Sequence, residues 1–161
     1  MSGSIPYANA TSGEKARGEI TKLLRSMGCD EITFQDRYTE GVLVVAFRIR
    51  GRVYKLEASA RGWARWYLRH NPHTHRHRTT KAQHEAKALE QGLIAINSVL
   101  RDYVRGMVTA IECNALSIEQ AMLGHMMLGN GQTVMDHMVE AKLLSLPAPS
   151  PLPPMGTESG A

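Results

Sequence analysis

The chain has 161 residues and a mass of 17.8 kDa, the size of one domain with short tails. Apolar residues make up 43% and charged residues 21%, values typical of a soluble globular protein. No apolar run is long enough for a membrane helix, and the N-terminus lacks the features of a secretory signal. Two cysteines, Cys29 and Cys113, exclude a disulfide scaffold or a cysteine-only zinc site and fit a reducing cytoplasm.

The positive charge is concentrated in one segment. Residues 48–81 contain ten Lys and Arg against one acid, Glu57, which gives a net charge of +9. The rest of the chain contains nine Lys and Arg against fourteen acids, a net charge of −5. The overall charge of +4 therefore hides a strongly basic segment, and we expect that segment to form the functional surface.

The two ends are predicted to be tails around a single domain over residues 12–140. Residues 1–11 are small and polar and are expected to be flexible. Residues 141–161 contain five of the seven prolines, a composition that predicts a disordered tail. The first helix is predicted over 12–27, with Thr11 and Glu14 at the spacing of a capping box and Gly28 as the stop.

A three-stranded antiparallel meander is predicted next. Ile32 and Phe34 alternate with polar neighbours, and a turn near 39–41 leads into the segment VLVVAFRIR. The dipeptide Arg50–Gly51 predicts a two-residue hairpin turn. The cross-strand pairs that follow from this turn are Ile49 with Arg52, Phe47 with Tyr54, and Val45 with Leu56.

The hairpin is predicted to bury one face. The apolar face is expected in the core and comprises Leu43, Val45, Phe47, Tyr54, Leu56 and Ala58. The opposite face is mixed, so the pattern leaves open whether it is solvated or partly covered. Its members are Val44, Ala46, Arg48, Val53, Lys55 and Glu57.

Residues 60–78 are the centre of the basic segment. On a helix, Arg61, Arg65 and Arg69 form one stripe, and the aromatic residues Trp63, Trp66 and Tyr67 lie on the opposite side. The dipeptide at 71–72, Asn-Pro, ends such a helix, and residues 73–79 are expected to form an exposed loop.

A long helix is predicted from Thr80, which has capping-box spacing with Gln83, to about Glu112. A small sheet cannot cover its whole apolar stripe, so the remainder is expected to meet other helices or a second subunit, as in a homodimer. Ser117 and Thr133 predict the caps of two short C-terminal helices, the first reaching about Leu128. The predicted fold class is therefore α+β.

Clustered Arg and Lys bind the phosphates of nucleic acids, and aromatic side chains among them can stack on unpaired bases. The basic segment has this composition, although the aromatic residues also suit a core position. The residues predicted to contact nucleic acid are Arg48, Arg50, Arg52, Lys55, Arg61, Arg65, Arg69, Arg76, Arg78, Lys81, Trp63 and Trp66.

Four of the seven histidines fall within 70–77: His70, His73, His75 and His77. A zinc site is possible in principle, but no carboxylate or cysteine lies nearby in sequence, and Arg76 and Arg78 repel a cation. We therefore predict no metal and no cofactor, and expect a loop that gains positive charge as pH falls.

Nuclease chemistry is a further alternative. A metal-dependent nuclease needs acids and a lysine around Mg²⁺, and Glu19, Asp36 and Glu57 with Lys55 are the available residues. Nucleases of this kind carry Glu-x-Lys, whereas this chain has the reverse order, Lys55-x-Glu57. Since no nucleophile or P-loop signature is present either, the chain is predicted not to be an enzyme.

The C-terminal half carries a resemblance. Residues 99–138 read VLRDYVRGMVTAIECNALSIEQAMLGHMMLGNGQTVMDHM. This segment resembles a family of short uncharacterised proteins encoded by phages and prophages. In that family a helix ends in Val/Ile-Glu and is followed by a glycine-containing link, an acidic-aromatic helix, an apolar segment and a Gly-x-Thr turn.

The N-terminal half of that family has a helix, a glycine stop and a strand pair around AFR-x-R-G-R, which stands here at residues 46–52. The resemblance spans about residues 12–140. This chain differs at Asn114 and Ala115, which replace the glycine of the link, and at Met122, which replaces an aromatic residue. The resemblance implies a phage-derived accessory protein in the cytoplasm of a bacterial host and implies no role for any residue.

Two functions from different classes fit the sequence. The leading hypothesis is a non-enzymatic, phage-derived protein that binds nucleic acid, DNA or RNA, through the basic hairpin and the Arg/His loop. The alternative is a protein-binding module that inhibits or redirects a host enzyme, such as a defence or transcription factor, because a basic patch also fits an acidic protein surface.

Overall fold

A computed structural model describes residues 4–145. In chain order the elements are α1 (Glu14–Ser26), β1 (Cys29–Arg37), β2 (Val42–Ile49), β3 (Arg52–Ser59), α2 (Ala60–His70), α3 (Lys81–Glu112), α4 (Ile118–Met122) and α5 (Val134–Glu140). Two 3₁₀ turns, Leu123–His125 and Leu143–Ser145, follow α4 and α5. The α+β class is confirmed, and the proline-rich part of the predicted C-terminal tail lies outside the described residues. Within the described part, no helix is long and apolar enough to cross a membrane.

The sheet is a meander in the order β1–β2–β3, with both pairs antiparallel. The predicted hairpin register is confirmed, since Ile49 pairs with Arg52 and Phe47 pairs with Tyr54. Arg50 and Gly51 have φ angles of +51° and +76°. Two consecutive positive φ angles are typical of the tight turns whose twist matches that of the flanking strands.

The core lies between one face of the sheet and two helices, α1 and α3. On the predicted apolar face, Leu43, Val45, Phe47, Tyr54 and Leu56 are all buried. The helices contribute fully buried side chains, which are Ile20 and Leu24 from α1 and Val104 and Val108 from α3. The sheet is thereby fixed on the two helices, and its opposite face points away from them.

The predicted long helix is confirmed, with a capping box formed by Thr80 and Gln83. Its 32 residues span about 48 Å. The helix α2 packs on its N-terminal half, where a Cβ added at Gly92 would lie 2.7 Å from the Ala60 carbonyl oxygen. Other elements of the same chain thus cover most of the apolar stripe, and a homodimer through α3 stays a prediction.

The predicted cap of the first helix is wrong. The helix α1 begins at Glu14 rather than at 12, and its N-cap, Gly13, has no side chain to offer. The Glu14 N–H donates to the Ser12 hydroxyl at 3.2 Å, so Ser12 takes the place predicted for Thr11.

Residues 1–11 were predicted to form a flexible tail, but residues 5–10 pack on the domain. Ile5 is buried, and the Gln91 side-chain amide donates to the carbonyl oxygens of Tyr7 and Ala10 at 3.0 and 2.9 Å. These bonds hold residues 5–10 against α3 and determine how the chain enters α1.

The helix α4 is shorter than predicted, because it ends at Met122 rather than near Leu128. Residues 126–127 instead run beside β3, where the Met127 N–H donates to the Val53 carbonyl oxygen at 2.8 Å. An edge strand leaves unpaired backbone groups, and this bond satisfies one of them. The caps predicted at Ser117 and Thr133 are both confirmed.

Candidate nucleic-acid interface

The predicted basic surface is divided between the two ends of β3. The hairpin residues Arg48, Arg50 and Arg52 lie at one end of this strand, and α2 begins directly after the other end. Eight residues of strand, at about 3.3 Å each, separate the two groups by roughly 25 Å. The structure therefore does not bring the hairpin arginines and the helix arginines into one patch.

Two of the three hairpin arginines are paired with acids. An Arg48 guanidinium nitrogen lies 2.8 Å from the Glu31 carboxylate, and one of Arg52 lies 3.6 Å from that of Glu119. Exposed pairs of this kind contribute little stability, but they offset the positive charge of the hairpin. Arg50, in the turn itself, has no ion pair or hydrogen bond to any residue from 4 to 145.

Lys55 belongs to neither group. It lies on the sheet face opposite the core, and its ammonium nitrogen is 3.2 Å from the Glu57 carboxylate. Its side chain is only 20% exposed. A phosphate would have to displace Glu57 to reach it, so Lys55 is not part of the available cationic surface.

Arg61 has a structural role. Its guanidinium donates two hydrogen bonds to backbone carbonyl oxygens of the β1–β2 turn, to Glu40 at 3.0 Å and to Thr39 at 2.9 Å. Charge-assisted bonds of this type are stronger than neutral ones. They hold the start of α2 to the turn and use two of the five N–H donors of the guanidinium, so Arg61 is less available to a phosphate than Arg65 or Arg69.

The tryptophans face the core rather than solvent. Trp63 is buried, donates from its indole N–H to the Pro6 carbonyl oxygen at 3.2 Å, and stacks on Tyr67 with 5.3 Å between ring centroids. Trp66 is half-buried and contacts His70 edge-on. Base stacking by Trp63 is therefore wrong as a prediction, and the core position left open by the sequence is the observed one.

Arg65 and Arg69 are the available cations of α2. They lie one turn apart on its exposed side, and together with Gly62 and Leu68 they line an open concavity of about 610 Å³. In the described part of the chain, neither guanidinium has an ion-pair or hydrogen-bond partner. We call the surface around these two arginines the α2 face.

The loop after α2, residues 71–79, extends this surface and is called the basic loop below. Arg76 and Arg78 are exposed and, among residues 4–145, have no ion-pair or hydrogen-bond partner. Lys81, at the start of α3, is 3.9 Å from the Glu85 carboxylate. The α2 face and the basic loop thus hold four arginines without a partner among residues 4–145, two on α2 and two in the loop that follows it.

The histidines of this region form a cluster that includes one residue from α3. The rings of His73, His77 and His84 contact one another, with centroids 4.9 to 5.7 Å apart. His75 is exposed and takes no part in the cluster. Over residues 4–145, no group of three or more His, Cys, Asp or Glu side chains is arranged to hold a metal ion.

The acids considered for nuclease chemistry are separated and paired. Glu19 bonds Arg105 at 2.8 Å and Asp36 bonds Arg17 at 2.6 Å, while Glu57 pairs with Lys55. Each carboxylate is thus neutralised by a different cation.

A cavity beside β3 was not predicted from the sequence. It has a volume of about 330 Å³, and its walls include Tyr103, His125 and Asp136. Tyr103 of α3 is 45% exposed, and its hydroxyl lies 2.7 Å from His125 Nε2. The partners are 22 residues apart, and nothing in the local pattern indicates that they meet.

Two groups in this cavity have shifted pKa values. Burial lowers the pKa of the His125 imidazole, which favours its neutral form. The backbone and side-chain hydrogen bonds from Thr133 lower the pKa of the Asp136 carboxyl, and the positive charge of Lys55 acts in the same direction. These groups already have partners within the cavity, which favours a structural role.

Comparison with known proteins gives no relative: no protein-family model, no curated protein and no solved structure matches the chain.

Proposed function

We propose that the chain is a non-enzymatic accessory protein of phage origin that binds DNA or RNA through the α2 face and the basic loop. The observation that carries the proposal is the group of four exposed arginines without partners in the described part: Arg65, Arg69, Arg76 and Arg78. The phage origin and the bacterial cytoplasm rest on the sequence resemblance alone.

The ligand contact in this proposal is the phosphate backbone rather than the bases. Trp63 is buried and Trp66 is half-buried, so the α2 face offers guanidinium groups and little aromatic surface. Contacts to phosphates carry no sequence information and weaken as salt rises. The proposal therefore implies binding with low sequence preference and a strong dependence on salt.

The test is a titration of the protein into a fluorescently labelled 20-base-pair duplex, followed by anisotropy. We expect the double substitution Arg65→Ala and Arg69→Ala to weaken binding about tenfold or more, since two phosphate contacts are lost. The matched control is Lys15→Ala with Lys22→Ala, which removes the same charge from exposed positions on α1 and should change affinity less than about twofold.

An equal loss in the two double variants would mean that only net charge matters and would remove the α2 face as the site. Absence of binding by the unsubstituted protein at low salt, to the duplex and to a single strand of the same length, would remove the proposal.

One observation favours the alternative, a protein-binding module that acts on a host enzyme. Several large apolar side chains near the C-terminal end of the domain are about half exposed, and such patches often mark protein contacts. They are Leu123, Met135, Val139, Leu143 and Leu144. A host protein recovered in stoichiometric amount after nuclease treatment, and lost with Val139→Ser and Leu143→Ser, would support this function over nucleic-acid binding.

A further inference from the structure

The basic loop is attached to α3 through imidazole rings. His73 and His77 stack within the loop at 5.3 Å, and both contact His84 of α3, at 5.7 and 4.9 Å between centroids. His84 is on the second turn of α3, so these contacts join the loop to a rigid helix.

The hydrogen bonds fix where a further proton must go. His73 Nε2 lies 2.6 Å from the Thr79 carbonyl oxygen, and His84 Nε2 lies 2.8 Å from that of Asn71. A carbonyl oxygen only accepts, so both Nε2 atoms carry hydrogen and additional protons bind at Nδ1. In contrast, His77 Nδ1 accepts the Thr74 N–H at 2.9 Å. Protonation of that nitrogen removes the acceptor of the Thr74 N–H, and the added N–H can then donate to the Thr74 hydroxyl at 3.0 Å or to the Thr74 carbonyl oxygen at 3.2 Å.

Other charges around the cluster do not compensate three added protons. His73 and His84 line a cavity of about 350 Å³ together with Lys81 and Glu85 of α3, and Glu85 already pairs with Lys81. The remaining ionisable groups on the flanking segments are cationic or become so on protonation, namely Arg69 and His70 of α2 and His75, Arg76 and Arg78 of the basic loop. Among the described residues, the Glu85 carboxylate is therefore the one negative charge near three imidazoles that can each gain a positive charge.

We propose that this cluster is a proton-operated latch, which holds the basic loop on α3 when His73, His77 and His84 are neutral and releases it when they are protonated together. Imidazole is the side chain that ordinarily changes charge between pH 5 and 8. Like charges at the observed ring separations repel, and the Thr74 N–H loses its acceptor at the same time. Release changes the position of Arg76 and Arg78, but the latch itself does not depend on nucleic-acid binding.

Backbone NMR relaxation of the full chain, at pH 7.5 and 5.5 with a metal chelator present, tests the latch. We expect the order parameters of residues 73–79 to fall from about 0.85 at pH 7.5 to below about 0.6 at pH 5.5. Nuclear Overhauser effects between the rings of His73 and His84 should be present at the higher pH and lost at the lower one.

Two variants distinguish the effect of protonating the histidine cluster from the effect of adding positive charge elsewhere in the basic loop. His84→Gln should leave the loop mobile at both pH values, whereas His75→Gln, in the same loop but outside the cluster, should behave as the unsubstituted protein. Unchanged loop order between the two pH values would overturn the proposal, as would an unaltered transition in His84→Gln. Hydrogen exchange of the α3 amides reports whether His84→Gln is folded. His77→Gln removes another ring of the cluster and should likewise leave the loop mobile at both pH values.

Discussion

The β2–β3 hairpin has three arginines within five residues, and α2 has three within nine, yet the two groups have different neighbours. In the hairpin, Arg48 and Arg52 face carboxylates. In α2, Arg65 and Arg69 have no partner among the described residues. Two segments with the same charge in the sequence therefore present different amounts of available charge at the surface.

The difference arises from residues that are distant in sequence. Glu31 reaches Arg48 because β1 pairs with β2 in that register, and Glu119 reaches Arg52 from α4. Among residues 4–145, no acidic residue of another element forms an ion pair with the arginines of the α2 face. The net charge of a segment is thus a weaker guide to a binding surface than the number of charged side chains that have no ion-pair partner in the folded protein.

The largest expected effect comes from reversing charge in the two regions separately. Substitution of Arg65, Arg69, Arg76 and Arg78 by Glu should weaken nucleic-acid binding at least a hundredfold, because four phosphate contacts become repulsive. Substitution of Arg48, Arg50 and Arg52 by Glu should weaken it less than about fivefold, through the net charge alone. Anisotropy titrations of both variants at one salt concentration give the comparison, and a larger loss in the hairpin variant would contradict it.

A second comparison lies within α2. Arg61→Ala should lower the free energy of unfolding by about 1 kcal/mol, because two charge-assisted bonds to the β1–β2 turn are lost at an exposed site. Arg65→Ala should change it by less than about 0.5 kcal/mol, as for other surface positions. Urea denaturation measures the free energy of unfolding of both variants. Equal effects would show that Arg61 contributes no more to stability than Arg65.

The acids that pair with the hairpin offer a gain-of-binding experiment. Glu31→Gln with Glu119→Gln should leave Arg48 and Arg52 unpaired and raise nucleic-acid affinity about two- to fivefold. The control is Glu14→Gln with Glu112→Gln, which changes the net charge equally at the two ends of other helices. The same gain in the control would show that the loss of the hairpin ion pairs does not cause the increase in affinity.

The smallest expected effect concerns the stability of the protein at acid pH and depends on the half-buried His125. Burial lowers the pKa of His125 in the folded state, so the unfolded state binds the proton more readily. The contribution of His125 to the free energy of unfolding should therefore be constant above the ordinary value of about 6.5 and fall as pH drops below it. Urea denaturation of His125→Gln should show a flatter decline with falling pH than the unsubstituted protein, and an equally steep decline would contradict the prediction.

Local patterns were sufficient for most of the fold. The register around Arg50–Gly51, the start of α3 at Thr80 and the end of α2 before Pro72 all depend on residues within one turn, and all were predicted. The start of α1 was not, because Gln91 of α3 holds the chain that precedes it. The end of α4 was not predicted either, since the edge of β3 binds the residues beyond it.

The candidate site could be predicted only in part. Composition located the basic segment, but the roles within it depend on tertiary contacts. Arg61 and Arg65 occupy equivalent places in the sequence stripe, and only the position of the β1–β2 turn distinguishes them. His84 lies outside the histidine-rich segment, so its contact with His73 and His77 has no signal in sequence spacing.

The salt dependence of binding tests the central claim most directly. With four phosphates neutralised by the α2 face and the basic loop, the slope of log K against log salt concentration for duplex DNA should be about −3.6. Replacement of Arg65, Arg69, Arg76 and Arg78 by Ala should bring this slope close to zero, and replacement of the three hairpin arginines should leave it nearly unchanged. A slope that responds to the hairpin and not to the α2 face would contradict the account.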